Sequence, residues 1–144
     1  MADSELRLEQ MVARLRERGH RITAQRRAIL EVLARSVGHP SAEQVFRIVS
    51  TEFPKTSLAT VYKTVTALKE AGEVLELEFS QDSNRYDGNQ PYPHPHVLCV
   101  TCHQIVDLDL TKLGDMADEV TGQTGFRILT HRLDFYGLCP KCQE

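Results

Sequence analysis

The sequence predicts an α+β chain in two parts, an N-terminal winged helix-turn-helix followed by a small C-terminal α/β unit held by zinc. Three observations carry this. Residues 1–87 show four successive helical periodicities and then a strand-like alternation; residues 88–95 are broken by prolines; and residues 96–144 hold all four cysteines, as two Cys-x-x-Cys pairs.

Taken in order, residues 5–19 carry Leu8, Met11, Val12 and Leu15 at helical spacing with arginines between them, an amphipathic helix. Thr23 can cap a second helix that buries Ile29, Leu30 and Leu33, and Gly38-His39-Pro40 ends it. Ser41-Ala-Glu-Gln44 reads as a capping box opening a third helix with Val45, Ile48 and Val49 inside. A fourth, from Ser57 to Gly72, buries Leu58, Val61, Val65 and Leu68 and stops at Gly72 in the position after its C-cap. Its other face offers Thr60, Tyr62, Lys63, Thr64 and Thr66, with no carboxylate until Glu70, a surface suited to phosphates and base edges. The alternation from Val74 to Phe79, a turn over residues 81–84 and Arg85-Tyr86-Asp87 then make a two-stranded wing. A plain helical domain whose threonines face only water is the alternative.

Beyond the break, residues 96–100 and 105–108 read as strands, residues 112–120 as a helix with Leu113, Met116 and Val120 inward, and residues 126–135 as one or two more strands. Forty-nine residues from His96 to Glu144 are too few to bury a sufficient core unaided, so a metal staple and a partner subunit are both expected. The staple is Cys99, Cys102, Cys139 and Cys142. Each pair spans about one tetrahedral edge, and four thiolates leave no open coordination position, which makes the zinc structural. Two disulfides or a redox pair are the alternatives, but residues 1–7 have no apolar signal segment and no stretch is long enough to cross a membrane, so a cytoplasmic, reducing setting is expected.

Charge separates the halves. The chain as a whole carries −3, which argues against an indiscriminate polyanion binder; residues 1–85 hold 13 Lys and Arg against 12 Asp and Glu, and residues 86–144 hold 4 against 8. Residues 7–27 alone have seven arginines and two glutamates. A nucleic-acid face therefore belongs to the N-terminal half.

Three ligand-type residues, His94, His96 and Asp107, flank the first cysteine pair. In a strand the two histidines share a face, and a returning hairpin could bring Asp107 beside them, a set suited to iron, manganese or zinc.

The string His39-Pro-Ser-Ala-Glu43, the helix Ser57-Leu-Ala-Thr-Val-Tyr62, Arg85-Tyr-Asp87, His94-x-His96, both cysteine pairs and Ile105-Val-Asp107 together resemble the ferric uptake regulator (Fur) family of bacterial metalloregulators. The resemblance covers nearly the whole chain. It implies a winged-helix DNA-binding domain over residues 1–87, a hinge over 88–95 and a dimerisation domain over 96–144, acting as a homodimer on a double-stranded DNA operator. It further implies structural zinc on the cysteines and regulatory iron or manganese on His39, Asp87, His94, His96 and Asp107. Aspartate at both 87 and 107 is most like the peroxide-sensing PerR branch, whose oxidised ligands match His39 and His94. The implied function is a metal-dependent repressor that senses hydrogen peroxide by iron-catalysed oxidation of those histidines. Repressors that sense iron or another divalent metal, a non-haem iron enzyme built on two histidines and a carboxylate, and a zinc-held interaction module are the competing readings.

Overall fold

The computed structural model describes residues 2–35, 39–78, 84–89, 91 and 94–143. The chain divides into two compact units, residues 1–92 and 93–144.

The first unit contains α1 (Ala2–Glu17), α2 (Ala24–Arg35), α3 (Ala42–Glu52), α4 (Leu58–Glu70), β1 (Leu75–Leu77) and β2 (Arg85–Asp87). Leu8, Met11, Val12 and Leu15 of α1 interlock with Ile29, Leu30 and Leu33 of α2, Val45 and Val49 of α3, and Val61, Val65 and Leu68 of α4. The Ser41 hydroxyl accepts from Gln44 N while the Gln44 side chain accepts from Ser41 N, so the capping box closes and fixes where α3 begins. At the end of α4, Gly72 adopts φ 74° and Glu73 N donates to Leu68 O at 2.9 Å, a left-handed cap that glycine takes without strain. β1 and β2 pair antiparallel with Leu75 opposite Asp87 and form the wing, so the unit is a winged helix-turn-helix. An isolated bridge between Ser41 and Arg85 and a Tyr86 N to Pro40 O bond of 3.0 Å tie the wing to the start of α3.

Three expectations for this unit change. Ile48 is 54% exposed, because the buried stripe of α3 is Ala42, Val45, Phe46 and Val49, and Ile48 lies about a third of a turn away from its centre. Thr64 is wholly buried, as described below. Leu58 is half-buried. Gly38 and residues 79–83, which include most of the expected turn, lie outside the described residues.

The second unit has β3 (His96–Cys99), β4 (Ile105–Asp107), α5 (Leu113–Thr124) and β5 (Asp134–Gly137). Its sheet runs β4-β3-β5, with β3 antiparallel to β4 and parallel to β5. Residues 126–133, expected as strand, have no regular structure, and the strand begins at Asp134 instead. Among the described residues of this unit only Pro95, Leu98, Cys99 and Ile105 are buried apolar side chains, and none of α5 is buried. Leu113, Met116 and Val120 are therefore not core residues of this chain by itself. They line an open apolar cavity of about 260 Å³ with Ala117, Ile128 and Leu133.

Candidate metal centres and nucleic-acid face

Parallel pairing of β3 with β5 sets Cys99 opposite Gly137, and Val100 N donates to Gly137 O at 2.9 Å, so the chain leaves both strands at the same end of the sheet. Each exit makes a tight turn. Cys99 O accepts from His103 N at 2.9 Å, with His103 in the left-handed region at φ 65°, and Cys139 O accepts from Cys142 N at 2.9 Å. The four Sγ atoms lie within 4.8 Å of one another, and none is in a disulfide. Cys102 and Cys139 Sγ stand 3.8 Å apart, the edge of a tetrahedron whose Zn–S bonds are about 2.3 Å. Backbone N–H groups of Cys102 and Cys139 aimed at Cys99 pull its thiol down to about 6, while the Cys142 thiol, hydrogen-bonded first to Cys139 and then to Cys99, is pushed up to about 12. Sulfurs this close resist ionising together unless a cation sits among them. Four-thiolate chemistry and tetrahedral spacing fit a closed, structural zinc site.

Among the described residues two further donor groups occur, one in each unit. In the first, His39 adopts φ 51°, rare for a residue with a side chain, and its carbonyl accepts from Arg85 Nε. Its imidazole and the Asp87 carboxylate are 2% and 1% exposed, with Nδ1 and Oδ2 3.6 Å apart, beyond hydrogen-bond length but suited to two donors sharing an ion. Asn89 N donates to Asp87 Oδ1 at 2.9 Å, which turns the other oxygen toward His39. The following Gly88 is clamped: its carbonyl accepts from Arg7 Nε at 2.9 Å, and a Cβ there would meet Met11 Cε at 2.7 Å and Leu33 O at 2.8 Å.

In the second unit, antiparallel register sets His96 opposite Asp107. Asp107 Oδ1 lies 3.0 Å from His94 Nε2 and 3.2 Å from His96 Nε2, with the two rings 4.4 Å apart. Two imidazole nitrogens and one carboxylate oxygen converging on a point are a donor set for iron, manganese or zinc. Sequence reasoning missed Asp134, whose carboxylate faces the other edge of the His96 ring, Oδ1 to Nδ1 at 3.6 Å. A lone aspartate in a segment read only as one or two strands carries no signal until strand register places it.

On α4, Tyr62, Lys63 and Thr66 face outward, and Thr60 is half-buried with its hydroxyl 2.9 Å from the capping Ser57 hydroxyl. The Tyr62 hydroxyl donates to Glu43 Oε1 at 2.7 Å, which raises the Tyr62 pKa and lowers that of Glu43. Thr64 departs from the expected face. It belongs to the buried stripe with Val61, Val65 and Leu68, and its hydroxyl donates to Thr60 O at 2.9 Å and accepts from Arg26 Nε at 3.3 Å. Among the described residues no helix is long and apolar enough to cross a membrane.

Residues 17–136 match the ferric uptake regulator family. The chain belongs to that family. It is 38% identical over 137 residues to the peroxide-responsive repressor PerR of Staphylococcus aureus (strain USA300), covering 95% of this chain and 92% of that one. Among solved structures it resembles the Helicobacter pylori ferric uptake regulator Fur, a protein described as having three functional metal-binding sites, with a TM-score of 0.86 at 26% identity over 95% of this chain and 94% of that one. It also resembles PerR of Streptococcus pyogenes, described for peroxide sensing and gene regulation, with a TM-score of 0.53 at 36% identity over 94% and 92% of the two chains. These relatives are repressors and regulators rather than enzymes, which sets aside the oxygenase reading of the two-histidine, one-carboxylate group.

Proposed function

We propose that this Fur-family chain is a metal-dependent, DNA-binding transcriptional repressor that responds to hydrogen peroxide, working as a cytoplasmic homodimer on a double-stranded operator. In this reading residues 1–87 bind DNA, residues 88–95 act as a hinge, and residues 96–144 dimerise. The observation that carries the reading is the pair of donor groups: a buried imidazole–carboxylate pair in the winged-helix unit and two imidazoles with a carboxylate in the zinc-held unit. One iron or manganese ion taking His39, Asp87, His94, His96 and Asp107 together would favour a single orientation of the two units, because a ligand shifts a conformational equilibrium only by its difference in affinity for the two states. A dimer held that way presents two α4 helices at a fixed half-site separation. Dimerisation is supported by the uncovered apolar groups of the second unit, including Met116, Val120, Phe126, Leu129 and Phe135.

The test is metal-stimulated binding to an operator duplex. His96→Ala removes a donor that the zinc does not use, so manganese should no longer raise DNA affinity while one zinc per chain remains; a variant that still responds to manganese removes His96 from the site.

The DNA face is tested separately. Tyr62→Ala should weaken specific binding by about 1–3 kcal/mol, and Lys63→Ala should weaken binding across sequences while lowering the salt slope by about 1. Fluorescence anisotropy over a series of salt concentrations reads both. Unchanged affinity and slope in the two variants would place the DNA face elsewhere than the outer side of α4.

A further inference from the structure

We propose that Asp134 is a positioning residue for the regulatory metal: its carboxylate faces Nδ1 of His96, holds the ring proton there and so commits the Nε2 lone pair of that imidazole to the ion. The proposal rests on the reading of His94, His96 and Asp107 as metal ligands. Parallel register pairs His96 with Asp134 across β3 and β5, so the two side chains rise from neighbouring positions in the sheet. Arg132 Nε donates to Asp134 Oδ2 at 2.6 Å, which holds the carboxylate in the rotation that turns Oδ1 toward the ring. Oδ1 stands 3.6 Å from His96 Nδ1, and the Asp134 side chain is only 11% exposed, so little water competes for that oxygen.

The two ring nitrogens lie on opposite edges of the imidazole. Nε2 faces Asp107 Oδ1 at 3.2 Å and Nδ1 faces Asp134, so a carboxylate at position 134 cannot itself reach an ion held at Nε2. What it can do is select the tautomer. A neutral imidazole has one N–H and one lone pair, and an acceptor beside Nδ1 keeps the proton there, leaving Nε2 as the donor atom. A cation at Nε2 polarises the ring and strengthens Nδ1–H as a donor, so the 3.6 Å separation should contract to hydrogen-bond length when metal binds.

The experiment uses the full chain with its zinc in place, as wild type and as Asp134→Asn, Asp134→Ala, Asp134→Glu and His96→Ala. Manganese affinity is measured by calorimetry, and the His96 tautomer by long-range proton–nitrogen NMR with zinc or no metal at the regulatory site. Asp134→Asn and Asp134→Ala should lose about 10–100-fold in manganese affinity with zinc content and unfolding midpoint unchanged, and with no metal at the regulatory site the His96 proton should redistribute from Nδ1 toward Nε2. Asp134→Glu should restore most of the affinity, a rescue that a purely structural role for the position does not predict. Wild-type affinity and an unchanged tautomer in both Asp134→Asn and Asp134→Ala, with His96→Ala still deficient, overturn the proposal. Manganese binding that survives His96→Ala instead removes the ligand reading, and the proposal with it.

Discussion

Replacing Cys99 or Cys142 with serine should leave the second unit unfolded and the chain monomeric. The reason is how little else holds that unit together. Its buried apolar side chains among the described residues are Pro95, Leu98, Cys99 and Ile105, and the whole of α5 is at least partly exposed. Full burial of an aliphatic side chain contributes about 1.5–3 kcal/mol, whereas a structural zinc site contributes on the order of 10–16 kcal/mol of folding free energy. Removing one thiolate also leaves three sulfurs still crowded within a few ångströms. The first unit has its own core, built from α1 to α4, and should survive. Zinc analysis, circular dichroism and a urea titration read the result: the second unit's share of the unfolding signal should disappear, with the winged-helix transition retained. A zinc-free Cys142→Ser protein that stays dimeric and unfolds at the wild-type midpoint would sink the structural assignment.

How far the sequence discloses this architecture depends on what sets each feature. The stripes of α1 and α2 were legible because their apolar residues have one consistent phase, and the ends of α3 and α4 because capping is local chemistry: Ser41 with Gln44, and a glycine at 72. Phase is ambiguous where a polar residue can serve on either side. Thr64 is the case in point, since its hydroxyl is satisfied inside the unit by Thr60 O and Arg26, which no pattern of hydrophobicity records. The spacing of Leu113, Met116 and Val120 reports that something covers α5 but not what; within this chain that face is open, in keeping with a unit too small to bury a core unaided. For residues 126–133, β-propensity suggested strand, whereas the pairing with β3 begins only at Asp134. The cysteine site and the His94, His96 and Asp107 group were visible from spacing alone. His39 and Asp87 were not: their pairing depends on a left-handed backbone at His39 and on Asn89 N orienting the carboxylate, and only the family resemblance pointed to them.

Ferrous protein should lose DNA binding after a modest dose of hydrogen peroxide, whereas manganese protein should keep it. Ferrous iron, if bound at the regulatory site, would lend one electron to split the peroxide O–O bond and regain it as the hydroxylated ring is oxidised, so the net two electrons come from the imidazole. The residues exposed to that chemistry are those whose ring atoms adjoin the ligand nitrogens, and His39 and His94 are the proposed targets. In the net change the imidazole gains one oxygen atom from peroxide, and the other leaves as water. An oxidised ring is a poorer donor, so the preference for the DNA-binding orientation falls; with coupling energies of 1–3 kcal/mol this corresponds to about a 5–150-fold loss of operator affinity. Sensing through sulfur predicts a different pattern. The four cysteines are gathered in one cluster, so their oxidation would expel zinc and would proceed with manganese as readily as with iron. Asp107 Oδ1 approaches both His94 and His96, so Asp107→Glu, with one more methylene, should retain iron-dependent binding but oxidise more slowly. Peptide mass spectrometry, zinc analysis and DNA retention on the same peroxide-treated samples decide it: one added oxygen on the peptide holding His39 or His94, zinc retained and DNA released is the expected result. Unmodified histidines with DNA binding intact would make the chain a plain iron-responsive repressor, and zinc loss in both metal forms would move the sensor to the cysteines.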